Sequence, residues 1–200
     1  MNEEGVVKFN CQWTKSGPVK GACLEDINFW RDKLYELTLI GVNEEGIGYG
    51  NISTRFQQNE FIISGSGTGK LKKLGEEHYA LVTDFNVDEN TLHSTGPIIA
   101  SSESLTHAMI YDYAGDVNAV IHVHHLKLWG KLLKSLPATA ENIEYGTPEM
   151  AKEIVRLFNE QKLSQHKLFA MAGHRGGIVC FGKRLEEAGE LVLNEVRVSY

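Results

Sequence analysis

Paired cysteines, long apolar runs and basic clusters are scarce or missing in this chain of 200 residues. Its three cysteines, Cys11, Cys23 and Cys180, are widely spaced and form no Cys-x-x-Cys pair, so we expect reduced and mostly buried thiols in a cytosolic protein. No apolar run approaches the roughly 18 residues that predict a membrane span. The start, MNEEGVVKFN, has neither a cationic nor an apolar signal region, which favours a cytoplasmic location without a membrane partner.

The charge balance argues against one further class of partner. The net charge is -6, and no run of Lys and Arg of the kind that follows phosphates is present, so we expect no nucleic-acid partner. Apolar residues make up 42% of the chain and charged residues 23%, as in globular proteins with a sizeable core. The length favours one domain, and we find no repeat, low-complexity tract or linker.

Hydrophobic spacing predicts helices and strands that are interspersed along the chain. Helices are predicted over residues 24–40, 101–114, 148–161 and 185–196. Strands are predicted for ISTRF and EFIIS, which residues 57–59 would join as a hairpin, for AVIHVHH, and over 79–85, 168–173 and 177–182. The Gly-rich stretch GVNEEGIGYGN is predicted to be loop. The pattern indicates an α/β protein with a mixed sheet packed against helices.

The stretch AVIHVHHLKLWG, residues 119–130, holds three of the eight histidines within four positions. The β-branched residues before them favour a strand, in which alternate side chains share a face. His122 and His124 would then face one way, about 7 Å apart by strand rise, and His125 the other way. Two imidazoles on one face can bind one metal ion if a third ligand comes from elsewhere.

The stretch AGHRGGIVCFG offers that third ligand. His174 lies in a predicted turn with three glycines, between two apolar strands. Glycine relieves the steric limits on such a turn and lets an imidazole project from a tightly held backbone, although a lone histidine in such a turn is more often incidental. Three neutral imidazoles with an open position form a catalytic zinc site. The sequence therefore predicts that His122, His124 and His174 hold a divalent transition metal, with Zn²⁺ favoured.

Two further segments carry groups that could bind an anion. GSGTGK is Gly-rich, and the amides of residues 65–69 could form an anion-binding nest. This segment is not a P-loop, which would need Gly in place of Ser64 and Ser or Thr in place of Leu71. Ser101 and Ser102 begin a predicted helix, where hydroxyl and amide groups favour a phosphate, although Ser101 alone could simply cap the helix.

Five motifs in this order, GYGNISTRF, FIISGSGTGK, ASSESLTHAMIY, HVH and the GH turn, resemble the class II aldolase/adducin family of sugar-phosphate lyases. The resemblance covers roughly residues 24–196. It divides the chain into an N-terminal extension of uncertain role, residues 1–23, and a family-like domain, residues 24–200. It implies a single α/β domain with a largely antiparallel central sheet covered by helices. It also implies a homotetramer with active sites between subunits.

The resemblance also implies roles for individual residues. The metal ligands would be His122, His124 and His174, and Glu103 would be the catalytic carboxylate. The residues that bind the phosphate of the substrate would be Asn51, Ser66, Gly67, Ser101 and Ser102. His125 stands where the family has Pro or Ser, and by strand alternation we expect it to pack or to donate a hydrogen bond behind the ligands.

One further histidine lies close in sequence to the predicted catalytic carboxylate. His107 lies one turn after Glu103 on the predicted helix, so it could orient that carboxylate. A purely structural hydrogen bond is the other interpretation.

The reaction implied is the retro-aldol cleavage of a small phosphorylated ketose through a metal-stabilised enediolate, with Glu103 moving the proton. Aldolases of the family also use a tyrosine on the aldehyde side, and four residues are open for that role: Tyr111, Tyr113, Tyr145 and Tyr200. The alternatives are a sugar-phosphate dehydratase of the methylthioribulose-phosphate type, an epimerase, or a non-catalytic adducin-like interaction domain. Epimerases of the family usually carry Asp where this chain has Glu103, and the non-catalytic members lack the metal histidines.

Overall fold

The computed structural model describes residues 7–199 and contains one large β-sheet. The strands of the chain are β1 (Asn10–Lys15), β2 (Gly41–Val42), β3 (Gly48–Tyr49), β4 (Asn51–Gln57), β5 (Glu60–Ser64), β6 (Tyr79–Asn86), β7 (Thr91–Gly96), β8 (Ala119–His124), β9 (Leu168–Ala170) and β10 (Gly177–Gly182). Eight of them form the large sheet in the order β1-β7-β6-β5-β4-β8-β10-β9, and β2 pairs with β3 separately. Only the pairing of β1 with β7 is parallel among the pairs of this sheet in the described chain. The sheet is therefore mixed and largely antiparallel.

Helices cover both faces of this sheet. They are α1 (Glu25–Glu36), α2 (Ser104–Tyr113), α3 (Leu126–Leu132), α4 (Pro148–Glu160), α5 (Leu163–His166) and α6 (Leu185–Arg197). Strand β8 shows how the two faces are separated: Val120 belongs to one buried cluster, with residues of α2 and α4, while Ile121 belongs to the other, with residues of α1, α3 and α6. The alternation of side chains along a strand produces this division. The structure is a single α/β domain, as the sequence predicts.

The predicted hairpin is confirmed, because β4 and β5 pair with Ser53 opposite Ile63. The predicted helices all form, but two are shorter than expected. The first ends at Glu36 rather than at residue 40. The second begins at Ser104 rather than at residue 101, because the amide and hydroxyl groups of Ser104 both donate to the Ser101 carbonyl in a preceding turn. The stretch predicted to be loop contains the short strands β2 and β3.

Several elements were not predicted, namely β1, β7, α3 and α5. Strand β1 is held at the sheet edge by parallel pairing with β7, and most of its side chains are exposed. Its sequence therefore lacks the apolar alternation that marks a half-buried strand. Just before it, Phe9 is buried in the core, so part of the N-terminal extension packs on the domain.

The three cysteines are free, and they differ in exposure. Cys180 is buried, Cys11 is half-buried and Cys23 is exposed, so only one of the three thiols is fully buried. Within residues 7–199, no helix combines the length and the apolar character needed to cross a bilayer.

Candidate active site

Two of the predicted metal ligands, His122 and His124, lie at the C-terminal end of β8 with their side chains on one face of the sheet. In the strand register, His122 lies opposite Asn51 of β4 and opposite Val179 of β10, while His124 lies opposite Gly177. The two imidazole rings have centroids 4.9 Å apart. The strand pairings on both sides thus fix where the two rings lie.

The third histidine comes from the tight turn between β9 and β10. The amide of Gly177 donates to the carbonyl of His174 at 2.8 Å, and the amide of Met171 donates to the carbonyl of Gly177 at 2.9 Å. A Cβ atom on Gly177 would lie only 2.5 Å from Cδ2 of His174 and 3.3 Å from Nε2 of His122. Glycine at this position therefore allows the two imidazoles to approach each other.

The three imidazoles fit a metal ion. One ring nitrogen from each of His122, His124 and His174 lies within 4.8 Å of the others, and Nε2 of His174 is 2.8 Å from Nε2 of His124. Zinc–nitrogen bonds of about 2.0–2.1 Å in a tetrahedron place such nitrogens about 3.3 Å apart. Nε2 of His122 is buried and has no hydrogen-bond partner among the described residues, which is costly unless something binds it.

The electrostatics also suit metal ligands. Burial holds the pKa of His122 and that of His124 well below their ordinary range, and neighbouring imidazoles add to the effect. Burial, assisted by the charge of Lys8, lowers the pKa of His174 to about 4. The three rings are therefore neutral near pH 7, which is the form that binds a metal.

Glu103 lies directly beside these imidazoles. Its Oε2 atom is 3.3 Å from Nδ1 of His122, its Oε1 atom is 3.9 Å from Nε2 of His174, and the residue is only 2% exposed. It immediately precedes α2, so the turn that begins with Ser101 directs it into the site. A carboxylate in this position can transfer a proton to or from a group held at the imidazoles.

The segments predicted to bind an anion meet in one pocket with these residues. The predicted residues that line it are Asn51, Gly67, Ser101, Ser102, Glu103, His122 and His174. Ser66 lies between Gly65 and Gly67, which both line the pocket, and its amide donates to the carbonyl of Ile99. Nδ2 of Asn51 is 3.4 Å from Nδ1 of His122, so Asn51 joins the two halves of the site.

The structure decides the roles of two further histidines near the site. Nδ1 of His107 is 2.7 Å from the hydroxyl of Ser53, which in turn is 2.7 Å from the hydroxyl of Tyr111. The side chain of His107 thus makes a structural hydrogen bond with Ser53 of β4 rather than one with the carboxylate of Glu103. His125 accepts from the amide of Leu128 at 3.0 Å and so caps α3, which corrects the expectation that it packs or donates behind the ligands.

The structure distinguishes three of the four tyrosines that the sequence left open for the role on the aldehyde side. The ring of Tyr145 packs edge-to-face against His174 with centroids 4.6 Å apart, and the residue is buried. Tyr111 lies in the core beside Phe61, and Tyr113 is exposed and donates to Asn159. Tyr200 lies outside the described residues.

Two residues near the site had no signal in the sequence. Nζ of Lys8, from the N-terminal extension, lies 4.2 Å above the ring of Tyr145 and pairs with Glu144 at 2.8 Å. The ring of Tyr49 lies 5.1 Å from that of His124, and Tyr49 lines the pocket. Lys8 stands in a segment without periodicity, and Tyr49 is one aromatic residue in a Gly-rich stretch, so neither could be singled out.

Comparisons with known proteins show which sequences and folds this chain is similar to. The L-fuculose phosphate aldolase of Escherichia coli is 30% identical over 159 residues, which cover 74% of this chain and 69% of that protein. The solved L-fuculose-1-phosphate aldolase of Thermus thermophilus superposes with a TM-score of 0.62 at 20% identity, covering 86% of this chain and 88% of that one. A sugar-phosphate aldolase from Thermotoga maritima gives a TM-score of 0.65 at 18% identity over 88% and 91% of the two chains. The family model described as Class II Aldolase and Adducin N-terminal domain matches residues 44–194, so the chain belongs to this family.

Proposed function

We propose that this protein is a metal-dependent lyase that cleaves a small phosphorylated ketose by a retro-aldol reaction. One observation carries the proposal: the buried carboxylate of Glu103 lies beside three converging imidazoles, in the same pocket as a Gly-rich loop and two serines. A metal, a proton-transfer group and an anion site are thus within reach of one small substrate. The aldolases similar to this chain in sequence support the same reaction class.

The metal ion proposed is Zn²⁺, held by His122, His124 and His174, which leave an open position for substrate. When bound, it would supply Lewis-acid stabilisation of negative charge on the carbonyl oxygen of the ketose. Another divalent transition metal could bind the same ligands, since affinity alone selects poorly among these metals.

The phosphate of the substrate would be bound by the backbone at Gly67 and neighbouring residues and by the side chains of Asn51, Ser66, Ser101 and Ser102. Hydroxyl groups and free amides at the start of a helix favour an anion, and the glycines allow the backbone to approach it closely. With the phosphate fixed there, the carbonyl end of the ketose reaches towards the imidazoles and Glu103. Binding at two points holds the substrate in one orientation, which favours the reaction entropically.

The bond broken is the one between the carbon beside the carbonyl and the next hydroxylated carbon. The proton of that hydroxyl passes to a proton-accepting side chain on the aldehyde side, an aldehyde forms, and the electron pair of the broken bond forms an enediolate. Glu103 then donates a proton to the enediolate carbon, which releases dihydroxyacetone phosphate if the ketose carries its phosphate on carbon one. Tyr145, packed against His174, is our candidate for the group on the aldehyde side.

The proposal extends to the assembly and to the chain as a whole. A homotetramer follows from the family resemblance and is checked by light scattering on the purified protein. Residues 24–200 would form the catalytic domain, with residues 1–23 as an addition that extends the sheet through β1.

The test is an assay of metal-depleted protein, with and without restored Zn²⁺, on a panel of ketose 1-phosphates. We expect release of an aldehyde and dihydroxyacetone phosphate from at least one ketose, and only with metal. Loss of water without aldehyde would replace the lyase by a dehydratase. Inversion at one carbon without cleavage would replace it by an epimerase, and no reaction with any sugar phosphate in a metal-loaded protein would favour an interaction domain.

A further inference from the structure

Arg31 of α1 is a buried cation that binds the backbone behind the Gly-rich loop. The residue is only 1% exposed. Its Nη1 atom donates to the carbonyl of Lys72 at 2.9 Å, and its Nη2 atom donates to the carbonyls of Thr68 at 3.1 Å, Gly69 at 3.2 Å and Leu71. One side chain thus contacts four carbonyl groups within five residues, at the end of the Gly-rich loop whose Gly67 and Gly69 line the pocket.

The charge of Arg31 is only partly compensated. Oδ1 of Asp32 lies 3.7 Å from Nη1 of Arg31, but Oδ2 of the same carboxylate pairs with Lys73 at 2.5 Å. Burial lowers the pKa of Arg31, yet a guanidinium group remains protonated in proteins. The ring of Tyr35 lies 4.6 Å from the guanidinium carbon and adds a cation–π contact. A net positive charge therefore lies against the Gly-rich loop, on a residue that does not itself line the pocket.

Peptide geometry connects this charge to the pocket. The carbonyl of one residue and the amide of the next point in opposite directions across a planar peptide bond. Because Arg31 binds the carbonyls of Thr68 and Gly69, the amides of Gly69 and Lys70 point away from it. A Cβ on Gly48, which lines the pocket, would lie 3.0 Å from the nitrogen of Lys70 and 3.3 Å from that of Gly69. The peptides that Arg31 binds therefore also contact Gly48, a residue that lines the pocket.

We propose that Arg31 is a positioning residue for the phosphate of the substrate, an inference that rests on the proposed function of this loop as the anion site. By binding the carbonyls, it fixes the peptide planes so that their amides face the anion. Its charge, acting through those aligned peptide dipoles, also favours the anion electrostatically. The forked guanidinium matters because it presents five donors in a fixed plane, whereas lysine offers a single point charge.

The test compares Arg31→Lys with Arg55→Lys. Arg55 is a matched control because it also binds backbone carbonyls, those of Val117, Tyr111 and Gln58, and does not line the pocket. The dissociation constant of inorganic phosphate is measured by calorimetry on the metal-loaded proteins. We expect Arg31→Lys to weaken phosphate binding by about tenfold with unchanged metal content, and Arg55→Lys to leave binding unchanged.

The kinetic constants KM and kcat distinguish a positioning role from a merely structural one. For Arg31→Lys, KM for the phosphorylated ketose should rise with little change in kcat, since the folded fraction and the catalytic groups are retained. Phosphate binding equal to wild type, or equally weakened in both lysine variants, would overturn the proposal. Phosphate binding that depends on Arg31 in a protein without lyase activity would refute the reaction proposed above and leave the role of Arg31 standing.

A second variant covers the case in which Arg31→Lys does not fold. Asp32→Asn retains Arg31 and removes the carboxylate that partly neutralises it. We expect phosphate to bind about two- to fivefold more tightly, because one nearby negative charge is gone. Weaker or unchanged binding in Asp32→Asn would contradict the electrostatic part of the proposal.

Discussion

The two walls of the pocket are built by different means. The histidine wall consists of the side chains of His122, His124 and His174. The register of β8 with β4 and β10 fixes the first two, and the turn before β10 fixes the third. On the loop wall, formed by Gly65, Gly67 and Gly69, backbone lines the pocket, and Arg31 of α1 binds carbonyls of that loop. The first wall therefore depends on the residue types at the site itself, while the second depends on backbone groups and on a side chain that does not line the pocket.

The largest effect is expected on the histidine wall. His124→Ala removes one of three ligands, so the metal should be lost, and turnover with it. His125→Ala is the matched control, because the neighbouring imidazole caps α3 instead. It should lower stability by about 1 kcal/mol and leave metal content unchanged. Metal analysis of both purified variants checks this, and an equal loss of metal would contradict the separate roles.

Glu103→Gln is the next test of that wall. Glutamine keeps the shape of the side chain and one acceptor oxygen but cannot transfer a proton. We expect metal and fold to be retained while kcat falls on the order of 10²–10⁴-fold. If Glu103 acts only on the dipole of α2, the change would cost roughly 0.3–1 kcal/mol of stability and leave kcat alone. Measuring kcat, metal content and the free energy of unfolding together decides between the two.

This difference between the walls also explains what the sequence revealed. His122 and His124 could be paired from strand alternation alone, and the hairpin of β4 and β5 followed from local patterns. Arg31 could not be found in this way, because its acceptors are backbone carbonyls about 40 residues along the chain, and a carbonyl carries no residue identity. The strand β1 was missed for a similar reason, since its pairing uses backbone groups while its side chains are mostly exposed.

A smaller effect is expected from the serines beside the loop wall. Ser102 lines the pocket, whereas the buried Ser104 donates to the carbonyl of Ser101 and does not line it. Ser102→Ala should raise KM for the phosphorylated ketose by about tenfold or more, because hydrogen bonds to charged groups contribute about 1.5–3 kcal/mol. Ser104→Ala should change stability rather than KM. Steady-state kinetics on both variants measure the two changes in KM. Equal changes in KM for Ser102→Ala and Ser104→Ala would contradict a specific role of Ser102 in binding the substrate.

The smallest effect concerns a buried hydrogen bond between α2 and β4. His107 of α2 is hydrogen-bonded to Ser53 of β4, and burial lowers its pKa from 6.5 to about 3. Because the folded protein binds this proton more weakly than the unfolded chain, stability is fully present above pH 6.5 and is lost as pH falls towards 3. At pH 5.5 this single group should already cost about 1.4 kcal/mol.

His107→Gln tests the role of this hydrogen bond, since glutamine retains a polar contact with Ser53 but does not titrate. The three clustered histidines titrate in both proteins. Their contributions to the pH dependence of the unfolding free energy therefore cancel in the difference between wild type and variant, to the extent that the sites act independently. Between pH 8 and 5.5, wild type should therefore lose about 1.4 kcal/mol more of its unfolding free energy than the variant does. Urea unfolding at a series of pH values measures that difference. Parallel curves for the two proteins would mean that His107 is not a neutral, buried link between α2 and β4.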